Sequence, residues 1–140
     1  VSGEKELARR KILIIDDEED LIALAGHVLS MVRPDMEIIS ARDGASGIQR
    51  ARVDHPAVII LDVMMPGIDG YEVCRRLKAD PETQGIPLVM LTASSDPKLN
   101  EKAFGAGAIA CLTKPYNQRA LVSCVEAALA SGERSRSRPA

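Results

Sequence analysis

Three aspartates, a threonine and a lysine in this chain have the chemistry to accept a phosphoryl group: Asp16, Asp17, Asp62, Thr92 and Lys114. Crowded carboxylates repel, and two like charges about 4 Å apart cost roughly 4 kcal/mol at an effective dielectric near 20. A fold keeps such a cluster when a cation neutralises it. Hard oxygen donors with no histidine or cysteine beside them select Mg2+, with Mn2+ as second choice. Lys114 adds a further positive charge, and Thr92 adds a hydroxyl donor. An aspartate in such company can itself be the nucleophile and form an aspartyl phosphate. Positioning and charge neutralisation then supply most of the catalysis. Asp62 fits the nucleophile's part, because it ends an apolar run and stands alone there. Beyond it, Pro66-Gly67 and Asp69-Gly70 give a loop able to bend around an oxyanion, with backbone N–H groups from Met64 onward as donors.

The elements that must position these groups are legible as short apolar runs. Ile12–Ile15, Ile38–Ile39, Val58–Leu61, Leu88–Leu91 and Ile109–Leu112 are too short for helices and rich in Ile, Val and Leu. That pattern fits strands buried on both faces. Between them, apolar residues recur with helical spacing: Leu21, Ile22, Leu24, Ala25, Val28 and Leu29; Val73, Cys74 and Leu77; Leu121, Val122, Val125, Ala128 and Leu129. Asp43, Asp96 before Pro97, and Asn117 are expected helix caps, and a helix should end near Asp80-Pro81. Five strand–helix pairs over residues 11–130 predict an α/β domain with a parallel sheet and helices on both faces. In such sheets the site lies at the carboxyl ends of the strands, where Asp16-Asp17, Asp62, Thr92 and Lys114 all fall.

Composition excludes several classes. With 140 residues, 46% hydrophobic and 27% charged, the chain suits one globular domain rather than a disordered segment. A net charge of −2 is too balanced for a dedicated nucleic-acid binder. No apolar run approaches the roughly 18 residues a membrane span needs, and VSGEKELARR is too polar for a signal peptide. The three widely spaced cysteines, Cys74, Cys111 and Cys124, make neither a metal cluster nor an even disulfide framework, which fits reduced thiols in a cytoplasmic protein. Residues 1–10 read as an N-terminal extension and residues 131–140, with Arg134, Arg136 and Arg138, as a flexible basic tail or linker stub. The absence of Met at position 1 and that polar stub favour a piece of a longer protein.

The set Asp16-Asp17, Asp62 in LDVMMPGIDG, Thr92 in LTASSD and Lys114 in TKPY strongly resembles the receiver domain of two-component response regulators. The resemblance covers about residues 11–130. It implies a flavodoxin-like (βα)5 three-layer sandwich with strand order 2-1-3-4-5. It also implies Mg2+-dependent transfer of a phosphoryl group from a sensor histidine kinase or phosphotransfer protein. By this resemblance Asp62 is the phospho-acceptor. Asp17, Asp62 and the Met64 carbonyl ligate the metal, with Asp16 acting through a coordinated water. Thr92 and Lys114 bind phosphoryl or carboxylate oxygens, and a cis peptide bond precedes Pro115. Kinase specificity is expected on the first helix and the loop after Leu112, with Ala25, Leu29 and Tyr116 as contributors. Phosphorylation would alter partner binding or drive pairing of two copies. The output partner is not readable, and the domain itself is expected to touch neither nucleic acid nor membrane.

Two departures stand out. The family's usual aromatic three residues before the lysine is Cys111 here, which implies an altered switch or another reporter such as Tyr116. The acids that often precede it are replaced by Ile109 and Ala110. Ile109 is expected to be buried; exposed, it would mark an apolar contact surface. Enzymes that turn over an external substrate through an aspartyl phosphate commonly place a second acid two residues after the nucleophile. That position is Met64, which argues against a phosphatase or mutase. The complete acid–lysine set argues against a pseudo-receiver.

Overall fold

A computed structural model describes residues 9–94 and 96–137, with side chains to residue 132. Five strands and five helices alternate: β1 (Lys11–Ile15), α1 (Glu19–Val32), β2 (Glu37–Ala41), α2 (Gly44–Asp54), β3 (Val58–Asp62), α3 (Gly70–Ala79), β4 (Leu88–Thr92), α4 (Pro97–Ala106), β5 (Ala110–Thr113) and α5 (Gln118–Ser137). All strand pairs are parallel and the order is β2-β1-β3-β4-β5. β3 and β4 are buried along their whole lengths, as the continuous Val/Ile/Leu runs require when helices cover both faces.

Alternation along each strand divides the core in two. Leu13, Ile15, Ile59, Leu61, Leu88 and Met90 pack under α2, α3 and α4, with Tyr71, Val73, Leu77 and Ala103. Ile12, Ile14, Val58, Ile60, Val89 and Leu91 pack under α1 and α5, with Leu29, Leu121, Val125 and Leu129. Burying one such aliphatic side chain stabilises the fold by roughly 1.5–3 kcal/mol. The expected caps are in place. Asp43 accepts from Ser46 N at 2.8 Å, Asp96 from Lys98 N at 3.0 Å and Asn117 from Ala120 N at 2.7 Å. Asp69, read above only as a loop residue, caps α3 by accepting from Glu72 N at 2.9 Å.

Two expectations need correction. β5 begins at Ala110, and Ile109 is 43% exposed rather than buried. Gly107 ends α4 in the left-handed region (φ 116°) and Ala108 turns inward, so alternation sends Ile109 outward. The first helix buries Ala25 and Leu29 but leaves Leu24 54% exposed, so its apolar stripe is wider than the face the sheet covers. Past residue 130, α5 continues to Ser137. Nothing between Asn117 and Pro139 is a proline, and Glu and Arg are good helix formers. The side chains of Arg134, Arg136 and Arg138, and residues 1–8 of the expected N-terminal extension, lie outside the described residues. Arg9 donates to the Pro34 and Met36 carbonyls at 3.1 and 3.2 Å.

Candidate functional site

The parallel ladder delivers the site residues to one edge. Asp16 follows β1, Asp62 ends the central strand β3, Thr92 ends β4 and Lys114 follows β5. Ladder-like bonds hold the flanking backbone: Asp16 N donates to Ala41 O at 3.1 Å, Val63 N to Leu91 O at 2.9 Å and Lys114 N to Thr92 O at 2.6 Å. Carboxylate oxygens of Asp16, Asp17 and Asp62 lie within 4.8 Å of one another. Asp16 and Asp62 are buried and Asp17 is half-buried. One Asp16 oxygen accepts from Glu18 N at 2.9 Å, which fixes its carboxylate. The other faces Lys114, whose Nζ is 3.6 Å away.

Lys114 Nζ donates to Asp62 Oδ1 at 3.0 Å. Burial pushes the Asp62 carboxyl above its ordinary value and the Asp16 and Asp17 charges add to that; Lys114 pulls the other way without winning. Burial also acts to lower Lys114, but its hydrogen bond to Asp62 and the charges of Asp62, Asp16 and Glu18 raise it on balance. The cluster is therefore an acid set in need of more positive charge than one lysine provides. Its donors are carboxylate oxygens with no nitrogen or sulfur ligand among them, a fit to a hard divalent cation such as Mg2+.

Thr92 is buried beside this group, and its hydroxyl accepts from Ser94 N at 3.3 Å. Met64 lies two residues beyond Asp62 with its side chain 69% exposed. The Lys114–Pro115 peptide is cis. Cys111 is half-buried against the α2–α4 side of the core, whereas Tyr116 packs against the α1–α5 side. Of the residues expected to meet a kinase, Leu29 is fully in the core and Ala25 nearly so. Ala25 and Tyr116 nevertheless line a groove of about 380 Å³, together with Leu21, Leu24 and Val28 of α1, Pro115 and Leu121; Leu29 does not.

One site feature escapes a reading of residue types. Gly70 sits so close to the end of β3 that a Cβ there would lie 2.6 Å from the Asp62 carbonyl oxygen and 2.7 Å from Val63 Cα. The only sequence signal is a glycine directly after a helix-capping aspartate, which many loops share.

The sheet order and the acid–lysine edge define a flavodoxin-like domain of the chemotaxis-regulator type. The family model for the response regulator receiver domain matches residues 12–126. The chain is 35% identical over 124 residues to the alkaline phosphatase synthesis transcriptional regulatory protein PhoP of Bacillus subtilis, covering 89% of this chain and 50% of that protein. It is 40% identical over 107 residues to the response regulator PleD of Caulobacter vibrioides, covering 76% of this chain and 23% of that protein. Among solved structures, the chemotaxis protein CheY4 of Vibrio cholerae superposes with a TM-score of 0.79 at 28% identity, over 86% of this chain and 98% of that one. The chain belongs to the response regulator receiver domain family. It spans half or less of the length of these two curated relatives.

Proposed function

We propose that this domain is a phosphorylatable switch in which Asp62 accepts a phosphoryl group from a phosphohistidine of a sensor kinase or phosphotransfer protein. The observation that carries this reading is the Asp16–Asp17–Asp62 cluster with Lys114 bonded to the acceptor. In the transfer the P–N bond of the donor breaks as a bond forms between phosphorus and an Asp62 carboxylate oxygen. Asp17, Asp62 and the Met64 carbonyl would hold Mg2+ directly and Asp16 through water. The ion supplies charge neutralisation for the incoming phosphoryl oxygens. Lys114 keeps its charge through the reaction and can move from the carboxylate to a phosphoryl oxygen. Thr92 offers its hydroxyl from the neighbouring strand.

The α1–Tyr116 groove beside Lys114 suits an apolar helix of the phosphodonor. The domain is a signalling element rather than a turnover enzyme on an external substrate, since Met64 stands where a general acid would be needed. No helix among the described residues is long and apolar enough to cross a membrane; a cytoplasmic location for the domain is part of the proposal. The phosphorylated form acts by changing partner binding or self-association.

The test is direct. With Mg2+ and acetyl phosphate, the intact mass should rise by one phosphoryl group, and the gain should vanish in Asp62→Asn and on chelation. A gain that persists in Asp62→Asn would move the acceptor elsewhere.

A further inference from the structure

The chain has three aromatic residues, and only Tyr71 is buried, at 4% exposure. Its hydroxyl is enclosed with no hydrogen-bond partner among the described residues. Native cores rarely leave a buried hydroxyl unpaired, because its desolvation is not repaid. Burial first, and then the neighbouring Cys111 and Asp69, push this phenol above its ordinary pKa, so it is a neutral donor. Lys102 of α4 places Nζ 4.4 Å from the centre of the ring, and Cys111 of β5 packs against the same core cluster.

The position of the ring in the chain matters as much. Tyr71 directly follows Gly70, which is pressed against the Asp62 carbonyl and donates to Val63 O at 2.9 Å. Cys111 precedes Lys114 by three residues, and Lys114 bonds to Asp62. The ring thus lies in the core between two chain segments tied to Asp62, one running through Gly70 and the other from Cys111 to Lys114. A change of charge at Asp62 that shifts Lys114 or the β3–α3 loop acts on the ring from two sides. Cys111 is a small neighbour, and the unpaired hydroxyl gives the resting arrangement a reason to be left. Coupling needs such an element with two arrangements of different energy.

We infer that Tyr71 is the switch residue of this receiver: on phosphorylation of Asp62 its hydroxyl leaves the unpaired position for one with a hydrogen-bond partner, carrying Lys102 and α4 with it. This rests on Asp62 being the acceptor. Tyr71 is a positioning residue and does not touch the reacting atoms.

The full chain labelled with 3-fluorotyrosine tests this. Its two tyrosines give two fluorine resonances, and the one missing from Tyr71→Phe is assigned to Tyr71. With Mg2+ and beryllofluoride, the Tyr71 resonance should move, together with the amides of Lys102, Phe104 and Ile109. Tyr71→Phe keeps the ring and removes only the hydroxyl. It should still gain one phosphoryl group from acetyl phosphate and should melt at a higher temperature at rest, while losing most of the α4 amide shifts. The inference is overturned if amides around Asp62 shift while the Tyr71 fluorine stays, or if Tyr71→Phe keeps the full α4 response. If neither the Asp62 amides nor the fluorine respond, the acceptor reading itself fails, and this one with it.

Discussion

Lys114 Nζ lies 3.0 Å from Asp62 Oδ1, so the residue that follows the fold's last strand supplies the counter-charge for the end of its central one. The two residues are 52 positions apart, and the contact exists only when the β3–β4–β5 ladder is complete. Lys114 is also the cation nearest to Asp16 Oδ2 among the ion pairs of the site.

Removing that lysine should expose the repulsion it offsets. Lys114→Ala is expected to lose about 1–2 kcal/mol in chelator, less than the roughly 3–5 kcal/mol of a fully buried pair because the ammonium is partly exposed. Millimolar Mg2+ should restore most of the loss. Urea unfolding with and without Mg2+ checks this, and equal stability of variant and parent in chelator would contradict it.

Asp17 is the most accessible member of the acid cluster and the least committed to protein contacts. Asp17→Ala should weaken Mg2+ binding by about tenfold or more, the scale on which loss of a supporting carboxylate acts at metal sites. Titration calorimetry with the metal alone measures it. Unchanged affinity would remove Asp17 from the ligand set.

Gly70 tests the close approach of α3 to the end of β3. Gly70→Ala drives a methyl into backbone atoms that cannot swing aside, and about 1–3 kcal/mol of destabilisation is expected. Gly85, where a Cβ meets nothing within 4 Å, is the control, and Gly85→Ala should stay within about 0.5 kcal/mol of the parent. Denaturant midpoints decide between steric and general glycine effects.

Asp54 gives a pH dependence remote from the site. Lys11 donates to it at 3.1 Å and Arg50 at 2.7 Å, and these hydrogen bonds, Lys11 first, hold its carboxyl below the usual range. A depressed carboxyl stabilises the fold above its unfolded pKa of about 4 and loses that contribution as pH falls through the folded value. Asp54→Asn should therefore be less stable than the parent at pH 7, by roughly 0.5–1 kcal/mol. The gap should close as pH falls below about 4. Thermal melts across that range measure it; a gap independent of pH would mean packing, not charge.

Much of this was readable from residue types. The strand runs are Val, Ile and Leu without interruption, and each strand lies within about two residues of where hydropathy places it. Asp43, Asp96 and Asn117 announce their helices because each side chain has one obvious N–H to cap. The acids and Lys114 were legible as a set because parallel strands send their carboxyl ends to a single edge. Ile109 was not, since whether an edge-strand residue faces in or out depends on where the preceding turn stops. Leu24 was misplaced for a related reason: helical periodicity marks an apolar stripe but not which part of it the sheet covers. Tyr71 and Gly70 were invisible as partners, because the contact joining them to Asp62 is backbone packing that no residue type encodes.

The middle position of β3 has one more effect. Its backbone is bonded to a neighbour on both sides and sealed by helices on both faces, so its amides should be among the last to exchange with deuterated solvent. Asp62 is mounted on the part of the molecule expected to yield least. Whatever a modification there alters must spread outward through loops and side chains, leaving the scaffold beneath it as it was.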